Sequence, residues 1–153
     1  TYPSDDELKN RDLPELYHWS YFKEFVNYDH YLIAKEHCGL LEKTERNQGS
    51  IENFSVTDTY LIRLYYYLMY LKFGFGRATQ DAGIEIRRGA MTRDQAISLV
   101  NLYDNNYPEN FLDLYLDYYE MTEDDFNKVI DKWVNKDLFD KVNGRWQPTF
   151  TIK

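Results

Sequence analysis

Residues 57–73 read TDTYLIRLYYYLMYLKF, and this stretch decides the fold. Leu61, Leu64, Tyr65, Leu68 and Leu71 recur on one helical face, with Ile62, Tyr66, Met69 and Phe73 on another. A helix that is apolar almost all round belongs in the centre of a domain. Arg63 and Lys72 interrupt the run from Tyr60 to Phe75, which is too short to span a bilayer comfortably. Gly74 and Gly76 end it.

Downstream, Thr79 reads as the cap of a short helix through Arg88, with Gly89 just past its end. Ile84-Glu85-Ile86 could alternatively form a short strand; helix is the preferred reading. Thr92-Arg-Asp-Gln95 is a capping box, followed by Ala96, Leu99, Val100 and Tyr103 at helical spacing. Pro108 opens a helix to about Tyr119, and Thr122 caps a last helix to about Phe139. From Arg145 to Lys153 the chain reads as an extended tail, with Trp146 and Phe150 tucked against the body. Upstream, Asn27–Cys38 forms a helix that Asp29 could cap and Gly39 stop. Its stripe is Tyr31, Ala34 and Cys38. The polar run 42–53 reads as an exposed loop. The first twenty residues read as irregular or short helical turns, bounded by Pro3 and Pro14. Together these predict an all-α or mainly α fold: one compact multi-helix domain over 1–153, with a long central buried helix and a short extended tail.

Composition narrows the function classes. The 153 residues carry 18 Lys and Arg against 26 Asp and Glu, a formal charge of −8. That balance argues against nucleic-acid binding, which is assembled from clustered Lys and Arg. Fifteen Tyr, nine Phe and three Trp suit helix packing first, and carbohydrate contact or a protein interface second. The single cysteine, Cys38, excludes an intrachain disulfide. No signal peptide is visible in the opening TYPSDDELKN, which begins without methionine, like the middle of a larger protein. The expectation is a soluble, cytoplasmic protein without a membrane span.

Residues 72–93, KFGFGRATQDAGIEIRRGAMTR, break the acidic pattern. They hold five basic residues (Lys72, Arg77, Arg87, Arg88, Arg93) against two acidic ones (Asp81, Glu85), and four of the seven glycines. Glycine lets backbone approach a ligand, and guanidinium forks match phosphate or carboxylate oxygens. A basic, glycine-punctuated turn in an acidic chain reads as an anion site. Arginines bracing neighbouring acidic helices are the competing explanation. The candidate substrate- and phosphate-binding residues are Lys72, Gly76, Arg77, Thr79, Glu85, Arg87 and Arg93.

Other chemistries fit poorly. His18, His30 and His37 are scattered, and no metal-ligand spacing is present. Cys38 lies on an apolar stripe, where an inert thiol is the ordinary case. Glu123-Asp124-Asp125 suits the first turn of a helix. Asp104-Asn105-Asn106 resembles the start of a calcium loop, but the glycine is missing and Pro108 follows.

The run YLKFGFGRATQDAGIEIRRGAMTRDQAISLV resembles the C-terminal part of the N-acetyl sugar amidotransferases. These are lipopolysaccharide-biosynthesis enzymes of the WbpG and PseA type, in the PP-loop ATP pyrophosphatase superfamily. The likeness extends upstream through TYPSDDEL, Tyr21-Phe22-Lys23 and Ile33-Ala34-Lys35. It extends downstream through Tyr103-Asp104 and the Met121-Thr122-x-x-Asp125-Phe126 helix start, covering nearly the whole chain. Relatives have Asp-His where this chain has Gln80-Asp81, so the role of that pair is open. The family's ATP-binding SGGxDS loop and N-terminal cysteine motifs are absent.

The resemblance implies the C-terminal domain of a bacterial enzyme whose N-terminal PP-loop domain lies outside this chain. This part alone would be inactive. For the full enzyme, the resemblance implies ATP and Mg2+ as cofactors and a nucleotide-linked acetamido sugar as substrate. Ammonia would come from glutaminase and cyclase-like partner subunits. The acetamidino product would enter O-antigen or a nonulosonic acid. The alternative is a non-catalytic helical interaction module that docks the glutaminase or a second copy in a homo-oligomer. The sugar, the amidated position and the oligomeric state are left open.

Overall fold

The computed structural model describes residues 4–9, 16–55 and 59–153. The boundaries expected at Pro3 and Pro14, and the helix start expected at Thr57, lie outside the described residues. Two compact units form, Thr1–Leu40 and Leu41–Lys153.

The first unit contains α1 (Asp5–Lys9), a 3-10 turn at Trp19–Tyr21 and α2 (Asn27–Cys38). Val26, not Asp29, sits at the N-cap of α2. Asp29 falls in the first turn, where its charge meets the positive end of the helix without making a cap. Gly39 ends the helix in the left-handed conformation, φ 68°, as glycine readily does. Cys38 is exposed, in contrast to a buried thiol on the apolar stripe.

The second unit is built on α3 (Leu61–Phe73), which is central and buried as expected. Its faces differ from the sequence reading. Tyr65, Leu68 and Lys72 form the exposed stripe, while Tyr67 and Tyr70 enter the core. Arg63 is buried too. Its guanidinium lies over the rings of Tyr60 and Phe111 (5.6 and 5.1 Å) and donates to the Thr59 carbonyl and Asn47 Oδ1. A buried cation needs such partners to offset its lost hydration.

The loop 42–53 is not the exposed segment its polarity suggested. Asn47 and Ser50 are buried, and Gly49 turns with φ 78° directly against Tyr66. The loop tucks inward because its polar side chains find partners there: Asn47 Nδ2 donates to the Glu52 carbonyl and Ser50 Oγ to Asp81.

Next come α4 (Arg77–Arg87) and α5 (Arg93–Tyr103), so Ile84-Glu85-Ile86 is helix and not strand. Gly89, at φ 75°, closes α4. Ala90 N–H donates to the Glu85 carbonyl and Gly89 N–H to that of Ile86, the Schellman pattern. The Thr92–Gln95 capping box forms as read. Pro108 and a short 3-10 turn lead into α6 (Leu112–Tyr119), and Thr122 caps α7 (Glu123–Trp133).

α7 stops six residues before the expected Phe139. Val134 turns extended, and Phe139 begins a hairpin, β1 (Phe139–Val142) paired with β2 (Arg145–Pro148). Asn143 and Gly144 hold φ of 50° and 80°, the left-handed pair that a two-residue hairpin turn requires. The tail is extended as expected, but it is half of a strand pair. Trp146 and Phe150 pack at the margin of the core, as anticipated.

That core gathers Leu64, Leu71, Tyr115, Phe126, Ile130 and Phe139. The hydroxyl of the fully buried Tyr115 donates to the Tyr60 carbonyl at 2.9 Å. Burial pushes the Tyr70 and Tyr115 phenols up from 10 to about 12. Their contribution to stability is therefore present below pH 10 and lost as pH rises through 12. A base titration followed by phenolate absorbance checks this. Tyr70 and Tyr115 should stay protonated until the fold opens; a single smooth titration of all tyrosines near 10 contradicts this. Among the described residues no helix is long and apolar enough to cross a membrane.

Candidate functional site

The glycine-punctuated turn between α3 and α4 does bind an anion, and the anion is the chain's own. Asp104, immediately after α5, reaches back to the N-terminus of α4. Its carboxylate accepts from Gly76 N–H and Ala78 N–H, both at 2.9 Å, and from the Thr79 hydroxyl at 2.5 Å. The Thr79 N–H contributes a further bond. Free N–H groups and the positive end of the helix dipole make this a natural seat for a carboxylate. A β-carbon on residue 76 would lie 2.5 Å from Asp104 Oδ1, so glycine is required by close approach. The expected cap, Thr79, is instead inside the helix and donates to the true cap. Burial pushes the Asp104 carboxyl up, and its donors pull it back.

α4 presents two opposed faces, because residues advance about 100° each around a helix. Arg77 and Asp81 share one face. Arg77 Nε donates to Asp81 Oδ1 at 2.6 Å, and the Asp81 side chain, 1% exposed, also accepts from Ser50 Oγ at 2.8 Å and from the Ile51 N–H. Burial raises the Asp81 carboxyl, against the pull of Ser50 and Arg77. Burial works against the Arg77 charge, but Asp81 outweighs it and the guanidinium is held above its usual value. The Arg77 side chain stays 30% exposed, and its two terminal nitrogens have no hydrogen-bond partner among the described residues. Arg77 is thus a cation aimed from behind with its fork left over.

The other face of α4 packs on α5 through Ala82, Ala96 and Val100. Between the helices runs a groove of about 250 Å³, lined by Thr79, Gly83, Ile86, Arg93, Ile97 and Ile152 among others. Arg93 donates to the Lys153 carbonyl at this margin. Arg87 Nη1 lies 3.4 Å from where a β-carbon on Gly83 would sit.

The seven expected site residues therefore divide. Thr79 and Arg93 line the groove, with Arg87 beside it, while Arg77 faces the Ser50 loop. Glu85 is paired with Arg88. Lys72 is exposed at the end of α3, its ammonium 5.5 Å from the Phe73 ring, beside a second groove between α3 and α7. Gly76 gives its N–H to Asp104. Sequence reasoning missed Asp104, Asp81 and Ser50 as organisers of the segment. Asp104 lies 28 residues from Gly76, and Ser50 31 from Asp81, so no local pattern could link them. Among the described residues no group of three His, Cys, Asp or Glu side chains could hold a metal.

Fold and site together define a mainly α domain whose α4–α5 pair carries a cationic, glycine-opened edge. A family model described as LPS biosynthesis protein WbpG-like, C-terminal domain, matches residues 48–153, and the chain belongs to that family. The match takes in the buried half of the Ser50 loop and every helix from α3 to α7. No curated protein matches the chain.

Proposed function

We propose that this domain works in an ATP-dependent amidotransferase that converts an acetamido sugar to its acetamidino form during lipopolysaccharide or nonulosonic acid biosynthesis. The amide oxygen of the sugar attacks the α-phosphorus of ATP and pyrophosphate leaves; Mg2+ travelling with the ATP would supply countercharge to its phosphates. Ammonia adds to the activated carbon, and AMP departs with the former amide oxygen. A glutaminase and a cyclase-like subunit supply the ammonia, and the sugar is carried on a nucleotide.

One observation supports this most directly: within the family match, Arg77 is braced by a buried carboxylate while its terminal nitrogens stay unengaged. Departing pyrophosphate needs such fixed positive charge, since preorganised donors cost no reorganisation when charge develops. Lys72, Arg87 and Arg93 supply further charge in this reading. Gly76, Thr79 and Glu85 act by positioning, through Asp104 and Arg88. The test is to supply the enzyme carrying this domain with ATP, an ammonium salt and nucleotide-linked acetamido sugars. The expected product has its amide oxygen replaced by nitrogen, with pyrophosphate and AMP released. Release of ADP and phosphate in place of AMP would overturn the scheme.

A second reading, docking of the ammonia-supplying subunit, draws on the groove between α3 and α7. Leu68, Val129 and Trp133 line it, and Trp133 is 61% exposed, an aromatic anchor of the kind that dominates interfaces. Trp133→Asp is then expected to lower glutamine-dependent turnover by about 10-fold or more while free ammonia restores it. Equal loss with both nitrogen sources removes the docking role.

A further inference from the structure

Tyr66 on α3 is 5% exposed, yet its hydroxyl makes no hydrogen bond among the described residues. Tyr115, by contrast, donates to the Tyr60 carbonyl. A buried phenol oxygen without a partner loses hydration and gains nothing for it, so phenylalanine would serve the fold equally well. The surroundings of Tyr66 are polar. Its side chain packs against the Gly49 turn, where an added β-carbon would lie 3.0 Å from Tyr66 Cβ and Cδ2. The next residue of that turn, Ser50, donates to Asp81, and Asp81 holds Arg77 through Nε. One loop therefore gathers Tyr66 from α3 and Arg77 from α4. Burial pushes the Tyr66 phenol up, which keeps it a protonated donor at neutral pH. Among its charged neighbours Arg77 acts on it most strongly, ahead of Asp81, Glu52 and Arg63. The Tyr66 hydroxyl and the two terminal nitrogens of Arg77 are thus neighbouring donors without an acceptor among the described residues. Donors fixed in advance by buried contacts are what an oxyanion site consists of.

We propose that Tyr66 is a further binding residue of the Arg77 site, its hydroxyl donating to the same phosphate oxyanion that the Arg77 fork grips. That the anion is departing pyrophosphate rests on the amidotransferase reading; the pairing of the two donors does not. Asp81 is no rival acceptor, because Ser50, the Ile51 N–H and Arg77 Nε already engage it. Glu52 sets a negative charge near both donors, so binding here rests on directed hydrogen bonds more than on net positive charge.

The test titrates the 153-residue chain and its Tyr66→Phe variant with inorganic pyrophosphate and inorganic phosphate, followed by the side-chain nitrogen resonances of Arg77. Pyrophosphate is expected to shift those resonances and to bind more tightly than phosphate. Tyr66→Phe should weaken it by about 10-fold, the scale of one hydrogen bond to a charged group. The thermal midpoint of that variant should equal or exceed the parent's, since no bond within the fold is lost. A lower midpoint would give the hydroxyl a structural partner and overturn the proposal. Equal affinity in folded Tyr66→Phe, or no pyrophosphate binding by the parent chain, overturns it too. Phosphate bound as tightly as pyrophosphate overturns the choice of anion. In the intact enzyme, Tyr66→Phe should raise the KM for pyrophosphate in ATP–pyrophosphate exchange by about 10-fold. An unchanged KM in an enzyme that forms amidine would sink the role of Tyr66 and spare the reaction. A Tyr66-dependent pyrophosphate site in an enzyme that makes no amidine would do the reverse.

Discussion

Asp104→Ala is expected to cost about 3–5 kcal/mol of folding stability, several times an ordinary cap loss, because it strands several buried donors at once. The carboxylate, 4% exposed, satisfies the N–H groups of Gly76, Ala78 and Thr79 and the Thr79 hydroxyl. Removing it leaves the first turn of α4 unpaired in a place water reaches poorly. Space collapse does not help, since the turn was shaped around the carboxylate. Asp104→Asn is the sharper probe. An amide offers one acceptor oxygen, and its NH2 must face a backbone N–H on the other side. Donor against donor should cost about 2 kcal/mol although the shape is unchanged. Denaturant unfolding at neutral pH measures both. A loss below about 1 kcal/mol in Asp104→Ala would mean that water or neighbouring groups take over the donors.

Asp81→Ala should cost a similar amount, about 3–5 kcal/mol, since it breaks a buried pair from its buried side. Ser50 Oγ, the Ile51 N–H and Arg77 Nε all lose their acceptor, and the loop 47–55 loses its tie to α4. The reverse deletion is expected to be mild. In Arg77→Ala the carboxylate keeps its Ser50 and Ile51 donors, and burial already favours its protonated form. A stability loss of about 1–2 kcal/mol is expected there. This asymmetry makes Arg77 a clean functional probe. In the intact enzyme, Arg77→Ala should lower ATP–pyrophosphate exchange and amidine formation by about 10²–10³-fold with the fold retained. Arg77→Lys should not restore it, because an ammonium can neither hold Asp81 through Nε nor present a fork. Unaltered rates in Arg77→Ala would confine the Ser50–Asp81–Arg77 chain to a structural tie. Comparable stability losses for both deletions would mean that Asp81 stays charged without its partner.

The two deletions also separate what holds α4 at its start from what holds it along its length. Asp104 fixes the helix N-terminus to the end of α5, and the Gly89 turn and the Thr92 capping box set the reversal between them. The groove face is therefore clamped at both ends by polar contacts, while its middle, at Gly83, is left open.

Local chemistry alone determined much of this protein. The apolar α3, the Gly89 stop, the Thr92 and Thr122 caps and the opening at Pro108 are all set by residues within a turn or two of one another. The basic, glycine-rich segment was legible too, because charge and glycine content survive any fold. The Asn143-Gly144 turn was also local, but it lies between the expected helix end near Phe139 and the expected tail from Arg145, and no hairpin was read there. What only the tertiary structure decided is which anion the segment holds. Asp104 and Asp81 are ordinary acidic residues in one dimension; packing brings the first to an open helix end and buries the second, already one helical turn from Arg77, against Ser50. Likewise, Arg77 turns to Asp81 and the Ser50 loop while Arg87 reaches over Gly83, although ten residues of sequence suggested a single site. A sequence carries its charges and its turns, but the pairing of distant charges is fixed only when burial removes water as the alternative partner.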